Sequence, residues 1–502
     1  MSKIEIKNLT FGYDTQGELL FDRVNLNLDS NWKLGLIGRN GRGKTTFLKL
    51  LQHKLAYQGK ILANLAFDYF PQTIKNPHQL TAYVLDDLGV DEAWQVEREL
   101  NLLGTDPDIL WREFASLSGG EQTKVLLASL FTQGMNFPLI DEPTNHLDIK
   151  ARQQVAAYLN HKKQGFIVIS HDRKFVDDVA DHILSIEKSN ILMYQGNFAT
   201  YEEQKKLSDV HEEMENSKLK KDISRLKQTA AEKAEWSRSK EGEKYGNSHV
   251  KGSGAIFDTG AIGARAARTM KRSLTLQKHM QKEIDEKQKL LKNIEYVDPL
   301  SMNFQHGHHE RLLTVNKLTL SYPDAKRPLF DPISFEIKQG KRVGIIGPNG
   351  AGKSTLIHAI LGDFAGEITG EVIQPKNLKV SYVRQAYEDN RGTLQDFAEA
   401  QHLDYQEFLN NLHKLGLERN VFTTRIEHMS MGQRKKVELA KSLSVPAELY
   451  LWDEPLNYLD IFNQEQLETL IKSVKPSMLI VEHDQAFIEH VTNKVVRLAK
   501  AK

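Results

Sequence analysis

Apolar and polar positions change pattern several times along the chain. Residues 1–7 alternate between polar and apolar side chains, which predicts a half-buried strand. Short continuous apolar runs of two kinds follow. Runs of the first kind lead into a glycine-rich loop and then a helix-favouring segment, and runs of the second kind lead into a pair of acidic residues. Such runs are typical of buried parallel strands that carry functional groups at their carboxyl ends. The first kind lies at 33–37 and 342–346, and the second at 137–140 and 449–452. The pattern predicts an α/β fold whose central unit occurs twice.

The middle of the chain has a helical pattern instead. Residues 205–237 are charged and helix-favouring, with apolar side chains at steps of three to five, which predicts one long amphipathic helix. Glycines then crowd the segment up to residue 264, and helical composition returns at 265–295. We therefore expect a helical hairpin linker with a glycine-rich tip at about 238–264. The predicted domains are 1–203, 204–300 and 301–502.

Composition narrows the class of protein. The 502 residues contain no cysteine, which excludes a disulfide framework and thiolate metal sites and suits a reducing cytoplasm. The amino terminus lacks the apolar segment of a secretory signal, and no apolar run approaches the ~20 residues of a membrane-spanning helix. We expect a cytoplasmic protein without a membrane partner.

Charge is concentrated in the predicted hairpin. The whole chain has a net charge of +1, whereas residues 218–280 contain fifteen Lys and Arg against six Asp and Glu, a local net charge of +9. A solvated helix needs charges, which is one explanation of this run. Because one sign dominates near the tip, binding to a polyanion such as nucleic acid is the other. Charge alone leaves the two open.

Two glycine-rich loops, at 38–45 and 347–354, have the spacing of phosphate-binding loops. The backbone amides of such a loop turn toward the β-phosphate of a nucleotide at the amino end of a helix. The lysine of each loop is expected to reach the β- and γ-phosphates, and the hydroxyl residue after it to bind Mg²⁺. These residues are Lys44 and Thr45 in the first loop and Lys353 and Ser354 in the second. The other predicted nucleotide contacts are Gly38, Asn40, Gly41, Gly43 and Thr46, and Gly347, Asn349, Gly350, Gly352 and Thr355.

Polar residues after the apolar strands also occur twice. The two Asp-Glu-Pro triplets, which begin at Asp141 and Asp453, are 312 positions apart. The aspartates are expected to hold Mg²⁺ and the glutamates to act as general bases on the attacking water. A glutamine in each half is expected to contact metal and water, and a histidine the γ-phosphate, although a lone histidine after a strand is more often structural. The remaining predicted residues are Gln72, Glu142 and His171 in the first half and Gln385, Glu454 and His483 in the second.

The Leu-Ser-Gly-Gly-Glu-Gln run at 117–122, joined to both phosphate loops, resembles the signature of the ATP-binding cassette superfamily. This resemblance covers all but the hairpin and implies an ATPase, active on ATP with Mg²⁺. It also implies a monomer whose two cassettes pack head to tail, so that each ATP lies between one phosphate loop and the opposite signature. Site one would pair the first phosphate loop with Ser430 and Gly432, and site two would pair the second loop with Ser118, Gly119 and Gly120. Tyr13 and Tyr322 resemble the aromatic residue that stacks on adenine, and an ordinary core aromatic is the alternative.

The second signature departs from the family pattern. Met431 stands where the first signature has Gly119, and Arg434 where it has Gln122. A side chain at a position where the backbone approaches phosphate hinders close contact. Site one is therefore expected to be the slower or weaker site.

The hairpin between the cassettes, with the segment 194–198 that leads into it, resembles the linker of the ABC-F translation proteins. Housekeeping members of that family insert an arm between the glutamine and the signature. Here that interval is 46 residues in the first cassette and 45 in the second, so no arm is inserted. The run 251–263 looks most like the Lsa and Vga group of the antibiotic-resistance branch. That resemblance implies a protein that frees ribosomes from lincosamides, pleuromutilins and streptogramin A.

The same resemblance implies contact with rRNA and P-site tRNA. Lys244 and Lys251 are expected to contact phosphate, and Phe257 either to stack on a base or to anchor the tip against its own hairpin. A housekeeping or ribosome-sensing ABC-F factor is the main alternative, followed by the ATPase of a transporter. A chromosome-maintenance protein is disfavoured, because those proteins carry a coiled coil inside one cassette.

Overall fold

The structure is a computed structural model that describes residues 3–13, 19–90, 92–132, 136–145, 147–242, 299–323 and 327–501, and the single residues 271, 275, 278, 279 and 282. Contacts within the chain divide it into two units. One unit contains Met1–Tyr201 and Val297–Lys502, and the other is Glu202–Tyr296.

The first cassette contains two sheets and the helices around them. Its strands are β1 (Lys3–Phe11), β2 (Phe21–Asp29), β3 (Lys33–Gly38), β4 (Gln58–Ala63), β5 (Phe67–Phe70), β6 (Phe137–Asp141), β7 (Phe166–Ile169), β8 (His182–Glu187) and β9 (Asn190–Gln195). Its helices are α1 (Lys44–Leu51), α2 (Thr81–Asp87), α3 (Ala93–Leu102), α4 (Gly119–Leu130), α5 (Ile149–His161) and α6 (Arg173–Val179), with short 3-10 helices at Pro107–Trp111 and Phe114–Ser116. The large sheet has the order β5-β6-β7-β3-β8-β9, and the small antiparallel sheet has the order β2-β1-β4.

The second cassette repeats this architecture. Its strands are β10 (Arg311–Ser321), β11 (Ile333–Lys338), β12 (Arg342–Ile346), β13 (Glu367–Ile373), β14 (Val380–Val383), β15 (Leu449–Asp453), β16 (Met478–Val481) and β17 (Lys494–Arg497). Its helices are α8 (Lys353–Leu361), α9 (Leu394–Ala400), α10 (Tyr405–Lys414), α11 (Met431–Ser444), α12 (Ile461–Val474) and α13 (Gln485–Val491), with 3-10 helices at Arg419–Thr423 and Ile426–His428. The large parallel sheet has the order β14-β15-β16-β12-β17, and the small antiparallel sheet has the order β11-β10-β13.

Three adjacent parallel strands in each large sheet bring the predicted site residues together. In the first cassette β6, β7 and β3 are neighbours, and Asp141 at the end of β6 lies opposite Ile169 at the end of β7. In the second cassette Asp453 lies opposite Val481 in the same way. Because the carboxyl ends of parallel strands share one edge, the phosphate loop, the acidic pair and the histidine of each cassette converge there.

The apolar runs are buried central strands, as predicted. Residues 137–140 of β6 and 449–452 of β15 are all buried, since helices cover both faces of a parallel sheet. Each such aliphatic or aromatic side chain contributes roughly 1.5–3 kcal/mol by leaving water. A polar substitution in either strand would therefore disturb the edge that positions the acids.

A long helix, α7 (Phe198–Gly242), leads into the second unit and contains 45 residues. At ~1.5 Å per residue it is about 68 Å long. The predicted helix at 205–237 is therefore present and extends further at both ends, so the predicted start of the tip at about 238 is still helical. The predicted tip beyond residue 242 lies outside the described residues. Of the second predicted helix, at 265–295, only five single residues are described, and all five are helical. No helix in the described part of the chain is long and apolar enough to cross a lipid bilayer.

Candidate nucleotide sites

The two phosphate loops have the backbone geometry that anion binding requires. Gly43 and Gly352 precede α1 and α8 in left-handed conformations, with φ of 88° and 85°. A Cβ on Gly43 would lie 2.5 Å from Leu20 Cδ2, so this position needs glycine for both conformation and space. The loop amides precede a helix amino terminus, where an anion is stabilised.

Each loop lysine lies over its own loop. Lys44 Nζ donates to Gly38 O at 2.7 Å and to Asn40 Oδ1 at 3.2 Å. Lys353 Nζ donates to the carbonyls of Gly347 and Pro348, both at 3.2 Å. Burial lowers the pKa of both lysines, and neighbouring carboxylates oppose that shift. Both ammonium groups are thus placed where bound phosphates would approach.

At site one the threonine and the aspartate predicted to bind Mg²⁺ are in contact. Thr45 Oγ1 donates to Asp141 Oδ2 at 2.8 Å, and Tyr69 OH donates to the same oxygen at 2.9 Å. Gln72 is oriented differently, because its Nε2 donates to Leu126 O at 3.2 Å while its Oε1 is buried without a hydrogen-bond partner among the described residues. The oxygen that a metal would need is thus left without a protein donor.

The neighbouring Glu142 has few hydrogen bonds. The backbone amide of His171 donates to Glu142 Oε2 at 3.3 Å. His171 Nε2 lies 3.2 Å from Oε1, but the geometry does not make a hydrogen bond, and this buried oxygen has no such partner in the described part of the chain. Burial raises the pKa of Glu142 to about 7. Burial also lowers the pKa of His171, so the imidazole is neutral.

At site two the corresponding residues form a connected chain. Ser354 Oγ donates to Gln385 Oε1 at 3.1 Å, and Gln385 Nε2 donates to Glu454 Oε2 at 3.0 Å. Asn457 Nδ2 donates to the same carboxylate at 2.6 Å, and His483 Nε2 lies 3.2 Å from its other oxygen. Burial alone would raise the pKa of Glu454, but His483, Lys353 and the hydrogen bond from Gln385 outweigh it and lower the pKa to about 2. Glu454 is therefore an ionised, oriented carboxylate.

The residues predicted to bind Mg²⁺ fit that ion. Asp453 is fully buried, and both of its carboxylate oxygens lack a hydrogen-bond partner among the described residues. Burial raises the pKa of Asp453 to about 6, although Ser354, Lys435 and Lys353 oppose that shift. Carboxylate, hydroxyl and amide oxygens are the ligands that Mg²⁺ prefers. Asp453, Ser354 and Gln385 supply all three kinds at one end of the sheet.

Both candidate bases have an uncommon backbone conformation. Glu142 has φ of 53° and Glu454 has φ of 46°, in the left-handed region that non-glycine residues avoid. Each amide donates to the neighbouring strand at 2.9 Å, Glu142 to Ile169 O and Glu454 to Val481 O. Such conformations cost about 1–3 kcal/mol and occur preferentially at functional sites.

Residues of the second cassette contact the first phosphate loop directly. Asn40 N donates to Asp460 Oδ2 at 2.8 Å, and Asn40 Nδ2 donates to Tyr458 O at 3.1 Å. A Cβ on Gly432 would lie 3.1 Å from Tyr458 O and 3.6 Å from Asn40 Nδ2. The structure thus places the second signature beside the first phosphate loop, in the head-to-tail arrangement.

Other contacts between the cassettes surround site one. Arg39 lies 5.6 Å from the centroid of the Phe462 ring, in a cation–π arrangement. Arg173 donates to Ile461 O at 3.0 Å. Gln464 Nε2 donates to His171 O at 3.1 Å. The amino-terminal part of α12 is therefore anchored to the first cassette at several points.

Site two contains a cavity of about 340 Å³ lined by both cassettes. The lining residues are Asn145, Leu147, Arg152, Asn349, Gly350, Gly352, Lys353, Ser354, Thr355, Gln385, Glu454, Asn457, Tyr458 and His483. The predicted signature residues Ser118, Gly119 and Gly120 do not line it. Their link to the cavity is Leu147, whose Cδ2 would lie 3.4 Å from a Cβ on Gly120.

The signature serines have a structural role. Ser118 caps α4 and Ser430 caps α11, each in a capping box with the residue three positions later. Both helix amino termini carry unpaired amides and a positive dipole end. Each signature is thereby suited to face an anion.

The two candidate adenine-stacking residues occupy equivalent positions. Tyr13 OH lies 3.0 Å from Thr46 Oγ1, and Tyr322 OH lies 3.3 Å from Thr355 Oγ1. Both rings are exposed. The structure therefore places them at the surface beside the start of α1 and α8, not in the core.

Sequence reasoning assigned no role to three residues that the structure brings to the sites. Asp460 contacts the first loop, Asn457 contacts Glu454, and Arg152 lines the cavity at site two. The repeat of Asn-His-Leu-Asp at 145–148 as Asn-Tyr-Leu-Asp at 457–460 was a visible signal for the first two. The predicted tip residues Lys244, Lys251 and Phe257 lie outside the described residues.

Comparisons with known proteins agree with this geometry. The sequence profile of the ABC transporter family matches residues 21–145 and 330–457. The chain is 30% identical over 494 residues to the ribosome protection protein VmlR of Bacillus subtilis (strain 168), covering 97% of this chain and 86% of VmlR. It is 29% identical over 509 residues to the erythromycin resistance ATP-binding protein MsrA of Staphylococcus epidermidis, covering 97% of each.

Solved structures show the same fold. The archaeal ribosome recycling factor aABCE1, in its complex with the archaeal ribosomal stalk protein aP1, superposes with a TM-score of 0.65 at 19% identity, covering 98% of this chain and 88% of that chain. At that identity the likeness concerns architecture alone. Together with the profile match and the two relatives, it shows that the chain belongs to the ABC transporter family, as a tandem-cassette ATPase of the ABC-F group.

Proposed function

We propose that this ATPase binds the ribosome and uses its interdomain linker to dislodge antibiotics that act at the peptidyl-transferase centre. The observation that carries the proposal is the similarity to VmlR, which spans 97% of this chain and so includes the linker as well as both cassettes. The proposed drugs are lincosamides, pleuromutilins and streptogramin A, and the proposed branch is the one that resembles Lsa and Vga. The proposed location is the cytoplasm, on ribosomes.

The linker has the length and charge for such a partner. The 45 residues of α7 extend about 68 Å at ~1.5 Å per residue, which is long enough to enter a large ribonucleoprotein. The local net charge of +9 at 218–280 favours rRNA and tRNA, because each phosphate contact releases counterions. Lys244 and Lys251 are proposed to contact phosphate, and Phe257 a base.

The cassettes are proposed to power the linker by binding and hydrolysing ATP as a pair within one monomer. The loop lysines hold the β- and γ-phosphates, and His171 and His483 contact the γ-phosphate. Mg²⁺ held by the Asp141 and Asp453 sites would offset charge on the phosphates. Each glutamate takes a proton from the attacking water.

Site two is proposed to be the faster site. Glu454 is ionised and held by Gln385 and Asn457, whereas Glu142 has a pKa of about 7 and a buried oxygen without a hydrogen bond in the described part of the chain. A base must be deprotonated and aligned before it can accept a proton. Met431 in the signature facing site one points in the same direction.

A ribosome pelleting assay tests this proposal. The Glu142→Gln, Glu454→Gln double variant should still bind ATP but hydrolyse it very slowly, so the closed form should accumulate on ribosomes. The same variant with ADP is the control. Recovery of the variant in the supernatant with ATP present, while it still binds nucleotide, would contradict the ribosomal assignment and favour a transporter ATPase.

A cell assay then separates resistance from a housekeeping role. Cells that make the wild-type protein should grow at higher concentrations of the proposed drugs than cells that make the double variant at equal expression. A housekeeping or ribosome-sensing ABC-F factor would pellet with ribosomes without changing drug susceptibility.

A further inference from the structure

Apolar side chains are exposed together in one segment of the first cassette. Among the described residues of the unit that contains both cassettes, the four most exposed large apolar side chains all lie between residues 81 and 113, with 57% to 69% of their surface accessible. They are Tyr83, Trp94, Leu102 and Trp111. Single exposed apolar residues are ordinary, but four in one short segment, two of them tryptophan, mark an interaction surface.

The elements that carry these side chains are packed on one another. Tyr83 lies on α2, Trp94 and Leu102 on α3, and Trp111 ends the 3-10 helix Pro107–Trp111. This 3-10 helix contacts both α2 and α3. The amide of Thr81 at the start of α2 donates to Arg112 O, directly after Trp111, at 2.9 Å. The four residues therefore belong to one folded subdomain.

The second cassette provides an internal comparison, because the same elements recur there. Helix α3 and helix α10 are 312 positions apart, and so are the 3-10 helices Pro107–Trp111 and Arg419–Thr423. At this offset Trp94 corresponds to Gln406, Leu102 to Lys414 and Trp111 to Thr423. At the offset of 313 that relates the ends of α2 and α9, the counterpart of Tyr83 is Asp396. All four counterparts are polar. The fold itself does not need apolar side chains at these positions.

The charges around the apolar residues have one dominant sign. Residues 81–113 contain nine Asp and Glu against two Arg, a net charge of −7. The equivalent segment of the second cassette, 393–425, contains five acidic and three basic residues, a net charge of −2. Glu99 of this segment is buried and paired with Lys162, so it does not contribute to the surface. We call the four apolar residues, together with the exposed acidic residues described in this segment, the aromatic–acidic face; these acidic residues are Asp86, Asp87, Glu92, Glu97, Asp106, Asp108 and Glu113.

We propose that the aromatic–acidic face docks a protein with a surface rich in Lys and Arg. Tyr and Trp are the commonest anchors of protein interfaces, and an acidic surround complements a basic partner. This inference rests on the proposed function, under which the ribosome supplies such partners, so the occupant is a basic ribosomal protein. The chain would then use opposite charges for two kinds of contact, with its basic linker on RNA and this face on protein.

The negative charge of this face favours a basic protein over RNA as its partner. Exposed aromatic side chains also stack on unpaired bases, so the tryptophans alone fit either class of partner. RNA-binding surfaces, however, surround such rings with Lys and Arg that track the phosphates. The described exposed charges of this segment are seven Asp and Glu against two Arg, and this net charge of −5 would repel a phosphate backbone instead.

One substitution gives opposite results for the two classes of partner. Leu102→Lys places at this exposed helical position the residue that the second cassette has at 414. In the Glu142→Gln, Glu454→Gln background with ATP, the dissociation constant for purified 70S ribosomes should rise by about ten-fold, as expected for loss of an interface anchor with added like charge. Trp94→Gln combined with Trp111→Thr should weaken binding at least as much. Leu62→Lys, at an apolar residue of β4 that is 49% exposed outside the face, is the matched control and should change nothing.

The outcomes separate the two proposals. If the parent protein does not pellet with ribosomes, the proposed function and this inference both fail. If the parent pellets but Leu102→Lys binds equally or more tightly, only the inference fails, and tighter binding assigns the face to rRNA. A photoreactive residue at position 94 should also crosslink to a Lys- and Arg-rich peptide of a ribosomal protein. A crosslink to rRNA would overturn the inference.

Discussion

The backbone amide of Asn40 in the first cassette donates a hydrogen bond of 2.8 Å to the carboxylate of Asp460 in the second. The same carboxylate caps α12, because its other oxygen accepts from Asn463 N at 2.9 Å. Asp148, at the equivalent position of the first cassette, caps α5 by accepting from Ala151 N at 2.8 Å. A helix cap in one cassette thus also holds the phosphate loop of the other.

Asp460→Ala should therefore be more harmful than Asp148→Ala. Each change removes a helix cap worth ~1 kcal/mol. Asp460→Ala also removes a charged hydrogen bond to Asn40, worth roughly 1.5–3 kcal/mol. Urea unfolding and ATP hydrolysis of the two variants measure the difference. Equal losses would show that the Asn40 contact adds nothing.

The two glutamates should contribute unequally to hydrolysis. Removing a general base usually costs about 10²- to 10⁴-fold at the site concerned. Glu454 is ionised and held by hydrogen bonds, whereas Glu142 is only partly ionised at pH 7 and has fewer hydrogen bonds. Glu454→Gln should therefore lower steady-state hydrolysis more than Glu142→Gln. Phosphate release by the single variants at equal ATP binding is the measurement. A larger loss from Glu142→Gln would contradict the assignment of site two as the faster site.

Lys435 in α11 should destabilise the protein below about pH 8. Its side chain is buried beside the Tyr387 ring, and burial lowers its pKa to about 8. Below pH 8 the folded protein must bury a charged ammonium group. Between pH 8 and the ordinary pKa of 10.5, the Lys435 side chain binds more protons in the unfolded chain than in the folded one, so stability rises with pH. The cost is therefore fully present below pH 8 and disappears as the pH rises toward 10.5.

Lys435→Met should accordingly raise the free energy of unfolding at pH 7 by at most roughly 3 kcal/mol, at ~1.4 kcal/mol per pKa unit, because it also removes the cation that neutralises Glu482 and Glu438. The gain should shrink as the pH rises from 8 to 10. Urea unfolding without nucleotide at several pH values checks this, with the exposed Lys376→Met as the control. A gain that does not depend on pH would indicate better packing and not removal of a buried charge.

Shortening the predicted tip should separate hydrolysis from resistance. Residues 240–262 contain none of the residues placed at either ATP site, so a shorter loop should leave folding and basal hydrolysis nearly unchanged. Drug protection should be lost. Single substitutions of Lys244 or Lys251 should make ribosome binding less dependent on salt, because each removes a phosphate contact. Substitution of Phe257 should change the salt dependence much less. Unchanged drug susceptibility of cells with the shortened protein, at matched expression, would remove the tip as the effector.

Much of the fold could be predicted from repeated local patterns. The apolar runs at 137–140 and 449–452 are the buried strands β6 and β15, and each ends at the predicted aspartate. The contact between Thr45 and Asp141 follows from the shared carboxyl edge of β3 and β6, which lie in one parallel sheet with only β7 between them. These features depend on a few residues in sequence, which is why their spacing reveals them.

Contacts between the cassettes could not be predicted residue by residue. Asn40 and Asp460 are 420 positions apart, and their hydrogen bond depends on how two folded cassettes meet. The two glutamines show a second limit. Gln72 and Gln385 are the same residue in equivalent places, yet one donates to Leu126 O and the other to Glu454. Side-chain orientation is therefore one difference between the two sites that their identical glutamines do not reveal.

The left-handed conformation of Glu142 and Glu454 links catalysis to the integrity of the sheet. Each glutamate precedes a proline, which further disfavours that conformation, and is held in it by one hydrogen bond to the neighbouring strand. Loosening of β7 or β16 would let the backbone relax to a commoner conformation and turn the carboxylate away from the attacking water. Heating should then abolish hydrolysis at a lower temperature than the one at which the cassettes unfold. The ATPase activity that remains would therefore measure how far β7 and β16 are still intact.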